Sequence, residues 1–388
     1  MSPSRPRVAL LGATGSIGVQ TLDVLRSEVE RFELVSIAGG EHISELAAIA
    51  REFNVRQVGV KTESHRATLA DLLARDVTIV VGDQGLEELA RDADIVVNAV
   101  MGFAGLPVTL GALAAGKRLA LANKESLIAA APLVATVRST PGAELLPIDS
   151  EHCAIHQCLA SSPPRRGYPD VRRLLITASG GPFRGWSLDQ LKGATKDEAL
   201  HHPTWSMGAK ITIDSSTLMN KGLEVMEATA LFGIDVDRVE VVVHPQSIVH
   251  SMVEFVDGSV LAQLSNPDMR LPIAYCLGAP DRLDRGYGRL DFTSALTLTF
   301  EVPDRDAFPA LDLAYDAARR GGAAPAWLSA ANEVAVDAFL KDEINWCDIV
   351  PVVASTMDHY DGQTLDSLAS LYENDDVARR MANASLKK

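Results

Sequence analysis

Cysteine is scarce in this chain: Cys153, Cys158, Cys276 and Cys347 are its four thiols, and no two of them form a CxxC pair. Without a dithiol motif, a reduced, cytosolic protein is the plain reading. Long apolar runs are lacking too. No window approaches the ~18 apolar residues of a membrane span, so no membrane partner is expected. Basic residues are outnumbered, 36 Lys and Arg against 51 Asp and Glu, for a net charge of −15. Nucleic acids and anionic membranes require clustered Lys and Arg, so no nucleic-acid partner is expected either. A small anionic substrate needs only a few local basic groups. The stretch 1–7 has neither the apolar core of a secretory signal nor the length of a transit peptide. A cytoplasmic location is therefore expected. Internal repeats and low-complexity tracts are also missing.

What is present is the composition of an ordinary globular protein, 47% hydrophobic and 22% charged over 388 residues. That length suits two or three domains at roughly 150 residues each. Short apolar runs stand at 8–11, 34–38, 58–60, 77–81, 95–99, 119–122 and 145–148, with helical patterns such as 43–53 and 64–74 between them. Such alternation predicts a parallel sheet with helices on both faces. From about residue 171 the texture changes to strands at 174–177, 239–243, 248–256 and 259–264, and Asp257-Gly258 predicts a two-residue hairpin turn. The Pro- and Gly-rich stretch 279–304 reads as a connecting arm. Helices are expected at 311–320, stopped by Gly321-Gly322, at 326–340 and over 348–383.

Gly12-Ala13-Thr14-Gly15-Ser16-Ile17-Gly18 follows the first strand and opens a helix over 19–26. Free N–H groups and the helix dipole favour a pyrophosphate there. The spacing is a GxxGxxG variant of the dinucleotide fingerprint, although a tight turn needing small residues would use the same glycines. Gly39-Gly40-Glu41-His42 closes the second strand, where Glu41 would accept from a ribose 2′-hydroxyl or else be a solvated charge in a loop. Asn123-Lys124-Glu125 follows the sixth run and would lie on the same sheet edge, or else simply start a helix.

Asp149-Ser150-Glu151 ends the run 145–148. If that run is a strand, residues two apart face the same way. Both carboxylates would then enter one small volume, where a cation or a proton must neutralise them. Oxygen donors of this kind suit Mg²⁺ or Mn²⁺. The second dense region is 214–224, Asp-Ser-Ser-Thr-Leu-Met-Asn-Lys-Gly-Leu-Glu. Its Ser/Thr cluster is a good N-cap for a helix over 218–232 ended by Gly233, and Asn220, Lys221 and Glu224 would share a face. Helix-start hydroxyls with a Lys and an amide make a phosphate site, and Glu224 a third metal carboxylate. A Lys/Glu pair on a solvated helix face is the alternative. Gly222 in a helix interior costs ~1 kcal/mol against Ala, which close approach by a ligand or another backbone would explain. Ser179, in the loop 178–183, offers a hydroxyl. The stretch 201–208, with His202, Trp205 and Gly208, suits a lid that excludes water, or a Trp resting on the domain body.

These segments together resemble the 1-deoxy-D-xylulose 5-phosphate reductoisomerase family over nearly the whole chain. The resemblance is carried by GATGSIG at 12–18, LANKES at 121–126, PIDSEH at 147–152, ASGGPFR at 178–184, HPTWSMG at 202–208, DSSTLMNKGLE at 214–224, HPQSIVHSM at 244–252 and AANE at 330–333. It implies a homodimeric enzyme of the non-mevalonate isoprenoid route. Such an enzyme rearranges deoxyxylulose phosphate, a small phosphorylated sugar, and reduces the product with NADPH, using Mg²⁺, Mn²⁺ or Co²⁺. By the same resemblance Asp149, Glu151 and Glu224 hold the metal, and Ser150 and Lys124 contact the substrate backbone. Ser179, Ser215, Asn220 and Lys221 hold the phosphate, with His202 closing and Trp205 covering. Thr14, Gly15, Ser16, Ile17, Gly40, Glu41, His42, Asn123, Lys124, Glu125 and Gly208 line the cofactor. The expected architecture is α/β. A Rossmann-like NADPH-binding domain spans 1–150, an α+β catalytic and dimerisation domain 151–278, the arm 279–304 and a C-terminal α-helical domain 305–388.

Some family members carry a basic residue where this chain has Glu41, and a cation there helps hold a 2′-phosphate. His42 beside it can donate, and NADPH is the expected cofactor. A rival is a semialdehyde dehydrogenase with Cys153 as the nucleophile, although the carboxylates nearby would raise the pKa of that thiol. A second is a non-catalytic, dinucleotide-binding redox sensor, which would not need Asp149, Glu151, Glu224 and the phosphate cluster together.

Overall fold

The computed structural model describes residues 5–161, 167–205 and 207–386. Residues 1–4 and Ser206, which belong to the N-terminal and lid readings, lie outside the described residues. Two compact units emerge: Met1–Ser126 with Val134–Cys153 and Asp268–Gly288, and Leu127–Leu133 with Ala154–Pro267 and Arg289–Lys388.

In the first unit, strands β1 (Arg7–Leu11), β2 (Glu33–Gly39), β3 (Gln57–Val60), β4 (Thr78–Val81), β5 (Ile95–Asn98), β6 (Arg118–Leu121) and β7 (Glu144–Pro147) form one sheet, ordered β4-β3-β2-β1-β5-β6-β7. Every pairing is parallel. All seven apolar runs are strands to within a residue or two, because helices covering the faces of a parallel sheet bury its inner strands, while the edge strand β4 stays half-exposed. The strand order reverses between β1 and β5, which opens a crevice at their carboxyl ends. Val8, Leu10, Val97 and Ala120 are fully buried in the core, and so is Ile273 from the helix Arg270–Gly278, which returns to this unit late in the chain.

The second unit holds β8 (Val171–Ala178), β9 (Val239–Val243), β10 (Val249–Phe255) and β11 (Val260–Leu264), ordered β11-β10-β8-β9. β8 and β9 pair in parallel across a helical crossover; the other two pairings are antiparallel. The turn between β10 and β11 is one residue longer than expected. The Phe255 amide donates to the Ser259 carbonyl and the Gly258 amide to that of Phe255, leaving 256–258 as the loop. Gly258, at φ +86°, takes the left-handed position of a three-residue hairpin. The stretch 348–383 is two helices, Ile349–Met357 and Leu368–Ser385, the second started by a Ser367 capping box.

Gly222 has a packing explanation. A Cβ there would stand 2.5 Å from Cβ of Ala314, so the helices Met219–Phe232 and Ala310–Arg320 approach closely at this point. Among the described residues, no helix is long and apolar enough to cross a membrane.

Candidate active site

The glycine turn forms as the sequence predicts. The helix Ser16–Ser27 follows β1 with Gly15 at its N-cap. Gly12 has φ +93°, and a Cβ on it would meet the Ala99 carbonyl oxygen at 2.4 Å. A Cβ on Gly18 would meet the Gly12 carbonyl at 2.2 Å. These two glycines bring strand, turn and helix too close for any side chain. The Gly12 and Ala13 amides both donate to the Ala38 carbonyl, tying the turn to the end of β2. The Thr14 hydroxyl faces Gly39 there, and Gly15 and Ser16 stand exposed at the helix start while Ile17 is half-buried. Gly40, Glu41 and His42 follow beside them, the last two exposed. Asn98, fully buried at the end of β5, donates to the Gly105 carbonyl (2.8 Å) and to Thr109 Oγ1 (3.0 Å). It shapes the loop opposite the turn, a role that sequence reasoning did not assign.

Asn123 donates through its amide to the carbonyls of Val100 and Gly102, and its Oδ1 accepts the Ser126 amide at 2.9 Å. It therefore caps the helix Lys124–Ala129, and the helix-start reading of this segment is the observed one. Lys124 follows it into a nearly buried position and places Nζ 2.6 Å from Oδ2 of Asp149. Glu125 is half-buried in the same turn.

The triplet 149–151 departs from its expected geometry. β7 ends at Pro147, and Ser150 already begins the helix Ser150–Leu159, so strand alternation does not aim these side chains. Asp149 stands at the helix start, where its Oδ1 accepts the Glu151 amide at 3.2 Å. Glu151 lies in the first turn and accepts from Ser150 Oγ at 2.5 Å. The helix N-terminus itself favours these carboxylates. His152, fully buried, puts Nδ1 3.3 Å from Asp149 Oδ1. The only sequence signal for it was the i,i+3 spacing from Asp149.

In the second unit, the Ser/Thr cluster occupies a different place from the one predicted. Asp214, Ser215 and Ser216 close the helix Ala209–Ser216, and Leu218, at φ +60°, begins the next helix without a side-chain cap. Thr217, one residue before the cap position, accepts the Met219 amide on Oγ1 at 3.3 Å. Ser215 is thus a buried hydroxyl in the last turn of a helix and not an N-cap. Asp214 is buried and held by Lys210 (2.8 Å) and by Asn332 Nδ2 (2.7 Å), the Asn of the AANE segment.

The shared helix face is confirmed. Asn220 Nδ2 donates to Oε1 of Glu224 and Lys221 Nζ to Oε2, each at 2.6 Å, with Lys221 and Glu224 removed from water. The loop after β8 lies against Ser215: a Cβ on Gly181 would meet the Ser215 carbonyl at 2.5 Å. His202 Nδ1 accepts the Thr204 and Trp205 amides at 3.2 and 2.9 Å, which puts the ring proton on Nε2. Nε2 then donates to Ser179 Oγ at 2.9 Å. Ser179 Oγ also accepts the Gly181 amide, which leaves its own proton available to donate. The described residues of 201–208 form neither helix nor strand; Trp205 is half-buried with its ring centroid 6.2 Å from that of His250, and Gly208 starts the next helix.

The parallel sheet with a glycine turn at its first βα junction defines a Rossmann-like α/β protein that carries a second, α+β unit. Comparison with known proteins narrows this class. Residues 8–131 match the family described as 1-deoxy-D-xylulose 5-phosphate reductoisomerase. Residues 145–232 match the C-terminal domain described under the same name, and residues 264–381 the DXP reductoisomerase C-terminal domain. A reductoisomerase of this name from Cupriavidus metallidurans is 50% identical over 98% of both chains, and one from Chloroherpeton thalassium is 46% identical over 96% of both. The solved Zymomonas mobilis enzyme, in complex with NADPH, superposes with a TM-score of 0.93 at 43% identity, covering 99% of this chain and 100% of its own. A DOX-P reductoisomerase in complex with NADPH, fosmidomycin and magnesium gives 0.92 at 42% identity over 98% of both chains. The chain belongs to the 1-deoxy-D-xylulose 5-phosphate reductoisomerase family.

Proposed function

We propose that this protein converts 1-deoxy-D-xylulose 5-phosphate to 2-C-methyl-D-erythritol 4-phosphate, using NADPH and Mg²⁺, Mn²⁺ or Co²⁺, in non-mevalonate isoprenoid biosynthesis. The observation that carries this reading is the near-complete match to a relative solved with NADPH, fosmidomycin and magnesium.

The residues present fit both groups. Gly12 and Gly18 leave a turn with no room for side chains, which suits a pyrophosphate approaching the backbone. Asp149, Glu151 and Glu224 offer only oxygen donors, the set a hard divalent cation takes. When bound, the ion polarises the substrate's carbonyl and NADPH supplies the hydride. The chain's own residues then bind and orient. Thr14 to Ile17, Gly40 to His42, Asn123 to Glu125 and Gly208 line the cofactor. Ser179, Ser215, Asn220, Lys221 and His202 hold the substrate phosphate. Ser150 and Lys124 position its hydroxylated carbons, and Trp205 covers it against water. Phosphate binding away from the reacting carbons supplies energy for orientation.

The same reading makes residues 1–150 the NADPH domain, 151–278 the catalytic and dimerisation domain, 279–304 the arm and 305–388 the helical domain of a cytoplasmic homodimer, with the stretch 268–288 packing back into the first unit. Support for the dimer comes from β11, an edge strand with Val260 and Leu261 exposed. The dehydrogenase rival loses its nucleophile, since Cys153 is only 1% exposed.

Purified protein mixed with deoxyxylulose phosphate, NADPH and Mn²⁺ should consume NADPH only when all three are present. Binding of NADPH without consumption would favour the non-catalytic sensor.

A further inference from the structure

Glu41 stands at the carboxyl end of β2, where a carboxylate would accept from a ribose 2′-hydroxyl and repel a 2′-phosphate. Its neighbour across the strand ends is His65. β2 and β3 pair with Gly39 opposite Val60, so the chain leaves both strands at the same sheet edge. His65 follows in the first turn of the helix Glu63–Ala70, its amide held by the Thr62 cap at 3.2 Å. Its Nε2 lies 3.8 Å from Glu41 Oε2, beyond hydrogen-bond range, so this proton is not committed to that carboxylate. The Glu41 side chain is 78% exposed and that of His65 only 22%, so the acid can swing into solvent while the imidazole stays in place.

The other ring nitrogen fixes the tautomer. Nδ1 of His65 is buried without a hydrogen-bond partner. A proton on Nδ1 would be buried with no acceptor, which is unfavourable. The neutral ring therefore carries its proton on Nε2, directed at the Glu41 position. The surrounding charges are mixed. Glu45 lies 3.5 Å from His42, Arg66 is paired with Glu63 at 3.4 Å, and Lys61 is exposed at the end of β3. No excess of cations marks the spot, so a single directed donor weighs heavily.

We propose that His65 is a specificity-determining residue that donates from Nε2 to the 2′-phosphate of NADPH, while Glu41 competes by favouring the 2′-hydroxyl of NADH. The proposal rests on the reading that the cofactor's adenosine ribose lies beside Gly40 to His42. Selectivity between the two cofactors is then a balance set by this pair.

The test is calorimetric titration of the intact protein with NADP⁺ and with NAD⁺, for the unaltered chain, His65→Ala and Glu41→Gln. Loss of one hydrogen bond to a charged group should lower the ratio of the NAD⁺ to the NADP⁺ dissociation constant about tenfold in His65→Ala, with NAD⁺ binding changed by less than about twofold. Glu41→Gln, at an exposed side chain where folding is not at stake, should shift the ratio the other way. Equal weakening of both cofactors in His65→Ala, or an unchanged ratio in both variants, overturns the role of His65. If the unaltered chain turns over deoxyxylulose phosphate with NADPH while the ratio ignores both substitutions, only this inference fails. If it binds neither cofactor, the proposed function fails with it.

Discussion

Lys221 and Glu224 lie one helical turn apart, Nζ to Oε2 at 2.6 Å, with their side chains 7% and 1% exposed. A carboxylate so far from water is retained only with a compensating partner. Lys221 and Asn220 supply it. A divalent ion at Glu224 would take over that compensation and leave Lys221 to the substrate phosphate. Glu224→Gln should then keep NADPH binding unchanged by fluorescence titration while metal-dependent turnover falls by 10² or more, on the order of losing a key electrostatic group. Full turnover in that variant would remove Glu224 from the metal set. Lys221→Met removes a cationic partner of the buried acid and should cost about 3 kcal/mol in urea unfolding, well above a surface pair.

Gly18 allows a sharper test of the cofactor turn. An alanine there would place Cβ 2.2 Å from the Gly12 carbonyl, a backbone atom that cannot rotate away. Gly18→Ala should weaken NADPH binding by at least about tenfold and lower stability by about 1–3 kcal/mol, the usual range for overpacking. Gly15→Ala, whose Cβ would have 3.4 Å to the same carbonyl, should be milder in thermal melts. Equal effects at the two positions would contradict the close-approach argument.

The parallel sheet was legible because seven strands, most of them largely buried, each carry their own apolar run, and the glycine turn because its spacing is local. The lysine–carboxylate pair at 221 and 224 was legible because i,i+3 geometry on a helix needs no tertiary information. What failed were readings that hinged on one residue of register. Asp149 and Glu151 look like strand positions only if the strand continues past Pro147, and the helix claims Ser150 instead. Ser215 looks like an N-cap only if the break falls before it; the break is at Leu218, whose left-handed backbone has no marker in a leucine. His152 and Asn332 act through partners that the sequence does not rank, and Asn332 meets Asp214 across more than a hundred residues.

Thiol chemistry separates this protein from a cysteine-dependent dehydrogenase. Burial pushes the Cys158 thiol up to about 11 and Cys276 well above its ordinary value. Cys153 is buried as well, which leaves Cys347 exposed. Native protein should therefore take up about one equivalent of a thiol reagent at pH 8 and retain activity, as counted by mass spectrometry, since accessibility decides which thiol reacts. The same shifts set an alkaline limit. Both folded thiols titrate above their unfolded value near 9.0, so the stability they contribute is intact below pH 9 and is lost as pH rises through the folded values. Urea midpoints should fall between about pH 9 and 11, and less steeply in Cys158→Val. Inactivation that tracks modification of Cys153 would instead revive the nucleophile.

Two opposing effects meet at Gly222, and their magnitudes decide the outcome. Replacing a mid-helix glycine with alanine gains ~1 kcal/mol of helix propensity. The new methyl would lie 2.5 Å from Cβ of Ala314, a side chain with no rotamer to give way. Overpacking of that kind costs about 1–3 kcal/mol, so Gly222→Ala should be net destabilising by up to about 2 kcal/mol in urea unfolding. Ala314→Gly alone loses propensity and should also destabilise. Combined with Gly222→Ala, it exchanges the methyl between the helices and relieves the clash. The double variant should then be more stable than the sum of the two single effects, a coupling of 0.5 kcal/mol or more being expected of residues in direct contact. Because Asn220 and Lys221 precede Gly222 on the same helix, a forced separation of the helices would also move the proposed phosphate donors. The KM for deoxyxylulose phosphate should rise in Gly222→Ala and return in the double variant. Strict additivity in both stability and KM would show that the two helices do not press against each other at this point.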